Sequence, residues 1–284
     1  MTLAETLLDE DYRFRLRFEQ QPPATFFQPT SNHNEIIRQR RHWLETTPHC
    51  CAIVLNEGEP LLHETISFAA AIGTLPLDFE GATANFSTED QELPKLKLLS
   101  KCISLGQTWE PDFLLLKPDD AGHFRLVAAC VCFPTFWSLE EKIGHPIEEI
   151  HGVVPGLNPA IGTQIHLFLS KLRPGKAWLR TNWGMTRSPE FNQHPSRKLP
   201  RLDATVNMDE VWLRVEHQAL LSLPETRSVL FAIRITMHPS KELASDQALA
   251  ARLARALRTM PEPIAAYKGL STARNRLLAL LVGN

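Results

Sequence analysis

The sequence predicts an α+β domain built on an antiparallel sheet. Three observations carry this. Strand-like apolar runs crowd the middle of the 284-residue chain, while helical patterns lie at both ends. Two of those runs, Asp112 to Lys117 and His123 to Cys132, flank the turn-rich link Pro118-Asp119-Asp120-Ala121-Gly122 and read as a hairpin. No internal repeat, low-complexity segment or long linker divides the chain, so residues 1–284 are expected to form one domain.

Taken in order, residues 1 to 34 carry few periodic signals. Pro22, Pro23, the Phe26-Phe27 pair and Pro29 suggest an extended arm lying over the body. Glu35 to Glu45 reads as a helix, made basic by Arg38, Arg40 and Arg41; a solvated face is the plain reading and a partner-docking patch the sharper one. Cys51 to Leu55 reads as a short strand, Glu59 to Ala71 as a helix, Pro76 to Gln91 as a loop, and Lys95 to Leu105 as a helix of weak pattern. Beyond the hairpin, Ala177 to Trp183, Val211 to Glu216 and Ser228 to Met237 read as strands. Leu220 to Pro224 reads as a short turn, and Gly184 to Thr205 as a polar loop. From Ser240 onward the chain turns helical, over Ala248 to Leu257, Ile264 to Tyr267 and Ser271 to Leu281.

The chain is organised around Pro134 to Gly156, PTFWSLEEKIGHPIEEIHGVVPG, which comes after its most apolar strand-like run. Ser138 and Glu141 have capping-box spacing, so a helix is expected from Ser138 to a stop at Gly144. Pro146 suits the first turn of a second helix, Ile147 to His151. Val153 to Pro155 reads as extended chain, because a residue before proline is driven from the helical region. Asn158 and Pro159 then read as the cap and first position of a helix to about Leu172. His151 thus falls at a helix end beside Gly152, where backbone or a flat ligand can approach closely.

Bulk properties exclude several classes. A net charge of −2 gives no global reason to expect nucleic acid or an anionic membrane as partner. No apolar run approaches the length of a transmembrane helix, and the N-terminus lacks a basic start and long apolar region, so a cytoplasmic location is expected. The five cysteines form no Cys-x-x-Cys pair and read chiefly as buried thiols. Gly-rich nucleotide cradles, a G-x-S-x-G elbow and H-E-x-x-H are absent. The one E-x-x-H, Glu148 to His151, lacks the second motif of a di-iron carboxylate site.

PTFWSLEEKIG followed by IHGVVPG resembles the haem-dependent oxidative N-demethylase family, the haem-bearing catalytic subunit of the dimethylamine-oxidising type. Three further blocks carry the same resemblance in the same order: LGQTWEPDFLLL (105–116), LRTNWGM (179–185) and LRVEHQALLSLPETRSVLFAIRI (213–235). Val153 stands where the family pattern often has proline, His217 where it has arginine, and Ala219 where it has threonine. The resemblance implies a PAS-like antiparallel sheet with flanking N- and C-terminal helices, the core over about 105–240 and a helical segment over 240–284. It implies haem b and oxidation of a small secondary or tertiary amine by O₂ to the demethylated amine and formaldehyde. The rival reading is a non-catalytic haem or small-molecule sensor on the same scaffold. His151 is the expected axial ligand, with His166 as runner-up; a helix-end histidine satisfied by backbone is the plain alternative. Arg180 and Arg214 are candidate propionate partners or members of structural ion pairs. Glu216, on the same strand face as Arg214, is the candidate catalytic group that holds an ammonium substrate, or else an arginine's partner. Trp183, with Trp137 and Trp212, is a candidate cofactor wall or plain core. The chain carries no dinucleotide or iron–sulfur pattern, so the implied chemistry calls for a separate flavin or iron–sulfur reductase.

Overall fold

The computed structural model describes residues 2–76, 79 and 93–283. The loop expected from Pro76 to Gln91 therefore lies outside the described residues, apart from Pro76 and Phe79. Among the described residues seven strands form one sheet: β1 (Glu19–Gln21), β2 (Ala52–Val54), β3 (Asp112–Pro118), β4 (Phe124–Cys130), β5 (Ala177–Thr186), β6 (Trp212–Ser222) and β7 (Val229–Pro239). Their order is β1-β5-β6-β7-β3-β4-β2, and every pair is antiparallel. The α+β class is as the sequence predicts.

Alternation along the strands divides the core between two faces. One face carries Phe113, Leu115, Ala128, Cys130, Leu221 and Leu230 and is covered by residues of the helices His33–Thr46, Glu59–Ala71 and Leu93–Gly106. Leu213 and Val215 continue that face of β6 under the C-terminal helices Gln247–Thr259, Glu262–Tyr267 and Arg274–Val282. The opposite face carries Leu114, Leu116, Leu126, Leu220 and Val229, and is covered by residues 139–172.

Several local expectations need correction. Ser138 to Gly144 forms successive turns, with Lys142 and Ile143 both donating to the Leu139 carbonyl, and no helix opens at Ser138. Leu139 is buried and Gly144 takes a positive φ, so tertiary anchoring wins over the capping signal. Val153 to Pro155 is not extended: Val154 N–H donates to the His151 carbonyl and Leu157 N–H to the Val154 carbonyl, turning the chain into the π-helix Asn158–Gly162. Asn158 caps nothing; its amide donates to the Glu148 carbonyl at 2.7 Å, tying that turn to the Ile147–Gly152 helix. Leu220 to Ser222 is strand. The turn lies just beyond it, where the buried Glu64 carboxylate accepts from the backbone of Glu225 and Thr226 and from the Thr226 hydroxyl. That long-range acceptor has no local signal. Arg40 is also not part of a basic surface. It is fully buried, donating to the Gly106 carbonyl at 2.7 Å and to Asp112 Oδ1 at 2.5 Å. Of the three arginines, only Arg38 and Arg41 are exposed.

Candidate functional site

A cavity of about 380 Å³ opens against the second sheet face, beside β5. Its floor is Arg180, Asn182, Gln218, Leu220, Leu116 and Phe231, contributed by four strands. One wall comes from the end of the organising stretch and the helical segment after it: Ile147, His151, Val154, Leu157, Ile161 and Phe168. The other is the N-terminal arm, with Tyr12, Phe14, Leu16 and Phe18. Residues 11–18 are the extended cover that the sparse periodicity suggests, but the proline-bearing part expected to extend the arm is not extended: Pro23 starts a short helix, Pro23–Phe27, that buries Phe26 and Phe27 in the core. The arm is fixed by Tyr12 N–H donating to Thr259 Oγ1 at 2.8 Å and by Arg255 pairing with Asp9 and Asp11. A π-helical turn in the wall is a common device beside functional sites, because the extra residue re-aims side chains.

The N-terminal arm also brings Glu10, Asp11, Arg13, Arg15 and Arg17 to the lining, while His151, Arg180, Asn182, Gln218 and Lys268 are the polar groups contributed by the wall helix, the sheet and the C-terminal segment. His151 sits in the last turn of the Ile147–Gly152 helix, and among the described residues nothing hydrogen-bonds its imidazole. Burial, with Arg180 and Lys142 adding repulsion, pushes its pKa down to about 4. It is therefore neutral at pH 7, with a ring nitrogen lone pair free to ligate. Arg180 also lacks a hydrogen-bond partner among the described residues and meets only the Phe18 ring, 6.0 Å from its centroid. Burial lowers its pKa, Glu216 opposes the shift, and an arginine stays charged regardless. Lys268 donates to the Trp183 carbonyl at 2.7 Å and lies over the Trp183 ring; burial pulls its pKa down to about 8. Tyr12 packs edge-on to Trp183, and burial raises its pKa to about 12.

Glu216 lies one strand step behind the floor. It accepts from Thr135 Oγ1 at 3.0 Å, Asn182 Nδ2 at 3.2 Å and Gln218 Nε2 at 2.9 Å, so its charge orients the two amides that line the cavity. Arg214 does not reach the cavity. It is 2 % exposed and donates to Thr135 Oγ1 at 2.8 Å and to the Phe133 carbonyl at 2.6 Å, which makes it the clamp behind Glu216 rather than a ligand partner. His166 faces away from the cavity, toward Glu148 and the His123 ring at the β3–β4 turn. Trp183 lines the cavity; Trp137 packs under Lys142 and Trp212 lies at the far end of β6, neither among the lining residues. The structure thus brings His151, Arg180 and Trp183 together, holds Glu216 just behind them, and separates Arg214 and His166.

A family model described as haem-dependent oxidative N-demethylase, alpha subunit-like, matches residues 18–278. The chain belongs to this family. The match spans β1 to the last helix, and so includes every strand and most of the cavity. Sequence reasoning singles out none of Tyr12, Asn182, Gln218 and Lys268. Asn182 and Gln218 stand inside the quoted 179–185 and 213–235 blocks, and those blocks are the signal that could find them. Tyr12 and Lys268 lie outside the quoted blocks and reach the cavity through tertiary packing.

Proposed function

We propose that this protein is a haem-dependent oxidoreductase that removes a methyl group oxidatively from a small secondary or tertiary amine. The observation that carries the reading is a half-buried imidazole held neutral and a half-buried guanidinium, each without a hydrogen-bond partner among the described residues, facing one cavity floored by the sheet. Buried polar groups are normally satisfied, so two orphans on one cavity point to a ligand that supplies their partners. Their chemistry fits haem b: an imidazole for the iron, cations for the propionates, and aliphatic and aromatic walls for the macrocycle. The five central strands, in the order β4-β3-β7-β6-β5 with helices inserted between β4 and β5, support a PAS-like description of the sheet.

On this reading His151 would hold the haem iron, and Arg180 and Lys268 would pair with the propionates. The neutral state of His151 suits ligation at neutral pH without loss of a proton. Bound haem supplies the iron at which O₂ is activated. The balanced reaction is R₂N–CH₃ + O₂ + 2e⁻ + 2H⁺ → R₂N–H + HCHO + H₂O, and the two electrons come from a separate flavin or iron–sulfur reductase. Glu216 places a negative charge behind Asn182 and Gln218, so their amide oxygens and its carboxylate together favour a cationic amine over a neutral one. Thr135 and Arg214 keep that carboxylate in place. The arm from Tyr12 to Phe18 covers one side of the cavity and narrows the access of water to it.

An ultraviolet–visible spectrum of haem-supplemented protein, with and without dithionite and methylated amines, tests this. A Soret band that shifts with an amine, amine-dependent formaldehyde release with a reductase, and loss of the native ferric spectrum in His151→Ala are expected. A Soret band indifferent to every amine would favour the sensor. Retention of an unchanged spectrum in His151→Ala would remove the ligand assignment.

A further inference from the structure

On the other side of the organising stretch, three residues from distant segments converge. Cys50 lies in the short Pro48–Cys51 helix, Glu140 sits in the turns after Leu139, and His194 stands in the loop after β5. One ligand atom from each lies within 4.8 Å of the others. His194 Nε2 is 3.7 Å from Glu140 Oε2. That nitrogen is buried and has no hydrogen-bond partner among the described residues. The second ring nitrogen, Nδ1, lies 2.8 Å from Ser196 Oγ and accepts from the Ser196 N–H at 3.3 Å, and the His194 backbone N–H donates to Asn192 Oδ1 at 2.9 Å. The ring is therefore held from behind, with its free nitrogen aimed at the thiol and the carboxylate. A cavity of about 30 Å³, lined by Cys50, His194, Asn192 and Arg197, adjoins the group and has room for a water molecule.

We propose that Cys50, Glu140 and His194 form a binding site for a borderline-soft divalent transition ion such as Zn²⁺. One sulfur, one nitrogen and one carboxylate oxygen are the donor types zinc takes, and three protein ligands leave a fourth position for water. Ligand atoms on a tetrahedral zinc stand roughly 3.4 Å apart, given bond lengths of about 2.0–2.3 Å, so side-chain rotation of about an ångström closes the set. With Nε2 on the metal, Nδ1 would carry the proton and donate it to Ser196 Oγ as its outer-shell partner, in place of accepting from the Ser196 N–H. The site is separate from the cavity that holds His151, and it does not rest on the proposed oxidase activity. Its place in the fold assigns it a structural role. His194 is next to Gln193, whose N–H donates to the Pro134 carbonyl and whose carbonyl accepts from Phe136 N–H, so the ion clips the loop to the strand-like segment that carries Thr135.

Metal analysis of the untagged, desalted full-length protein after equilibration with Zn²⁺ tests the proposal. The parent and His151→Ala should each retain close to one zinc per chain. Glu140→Gln, at an exposed turn, should weaken binding by at least about tenfold, and Cys50→Ser and His194→Ala should abolish it. With Co²⁺ in place of zinc, the parent-minus-Cys50→Ser difference spectrum should show a sulfur-to-metal charge-transfer band. A parent with no retained metal and no such band overturns the proposal. So does zinc held equally by Glu140→Gln and His194→Ala, or zinc lost in His151→Ala.

Discussion

Arg180 and Arg214 sit on adjacent strands, on the same face of the sheet, and both are withdrawn from bulk water. Their surroundings differ in kind. Arg214 donates to a hydroxyl and a backbone carbonyl, and through Thr135 it is joined to Glu216. Arg40, on the opposite face, is satisfied still more completely by the Gly106 and Glu110 carbonyls and by Asp112. Arg180 has an aromatic ring and a cavity. A guanidinium whose donors all meet protein belongs to the architecture. One that is desolvated and left without acceptors stores an unmet interaction, and a ligand can satisfy it. Charge alone does not separate the two classes; the hydrogen-bond partners do, and with them the fuller burial of Arg214 and Arg40.

The largest effect should come from breaking the completed class. Asp112 accepts from Arg40 and from the backbone N–H groups of Cys132 and Phe133. Asp112→Ala leaves a buried charge and two amides unmatched, and should destabilise the fold by about 3–5 kcal/mol in urea unfolding. A loss below about 1 kcal/mol would mean water reaches the Arg40 head. Arg214→Ala should come next at about 2–4 kcal/mol, because Thr135 and the Phe133 carbonyl lose a charged donor in the interior. Arg180→Ala is the counterpart. It removes no hydrogen bond, so unfolding should move by less than about 1 kcal/mol, while haem affinity measured by titration should fall about tenfold or more. Equal destabilisation by the two substitutions would erase the distinction between the arginines.

This distinction also marks what the sequence reveals. The sheet is legible because its strands announce themselves by apolar runs and by the Pro118–Gly122 turn, signals local to each segment. His151 is legible for the same reason, since helix-end and glycine signals surround it in one stretch. Arg180 and Arg214 look alike in sequence, each in a strand and each in a family-like block. Only the tertiary position of Thr135, 79 residues from Arg214, tells them apart. Arg40 reads as a surface residue because its partner Asp112 is 72 residues away. The Ser138 capping signal yields to the burial of Leu139 against the sheet.

A titratable group sharpens the comparison by changing class with pH. His217 is partly buried, with Nε2 3.0 Å from Thr236 Oγ1. Burial, assisted by His238 and Arg234, lowers its pKa to about 4. The unfolded chain, with a histidine pKa near 6.5, binds more protons than the fold between these values, so this contribution makes stability rise with pH from about 4 to 6.5 and then level off. His217→Gln should flatten that window by on the order of 1–2 kcal/mol, allowing for partial exposure. Urea midpoints at pH 4.5 and 7.5 read it directly; an undiminished slope would assign the pH dependence to other groups.

The smallest expected effect comes from the Arg40 helix itself and tests the comparison from the solvent side. Arg38 lies two residues before Arg40 on the His33–Thr46 helix and turns outward, with Glu35 as its ion-pair partner and water for its remaining donors. The same residue type on the same helix is thus satisfied by water at one position and by protein at the other. Arg38→Ala removes one exposed pair and should shift stability by no more than about 0.5 kcal/mol, with the shift shrinking further in 0.5 M salt. Arg40→Ala should be several times more costly and insensitive to salt, because Asp112 is left charged in the interior. Arg38 and Arg41 then remain exposed as a docking surface for the reductase that the proposed function calls for. Reversing both charges should slow reductase-supported turnover and leave the haem spectrum and the melting temperature in place, whereas unchanged turnover would move the docking surface elsewhere on the molecule.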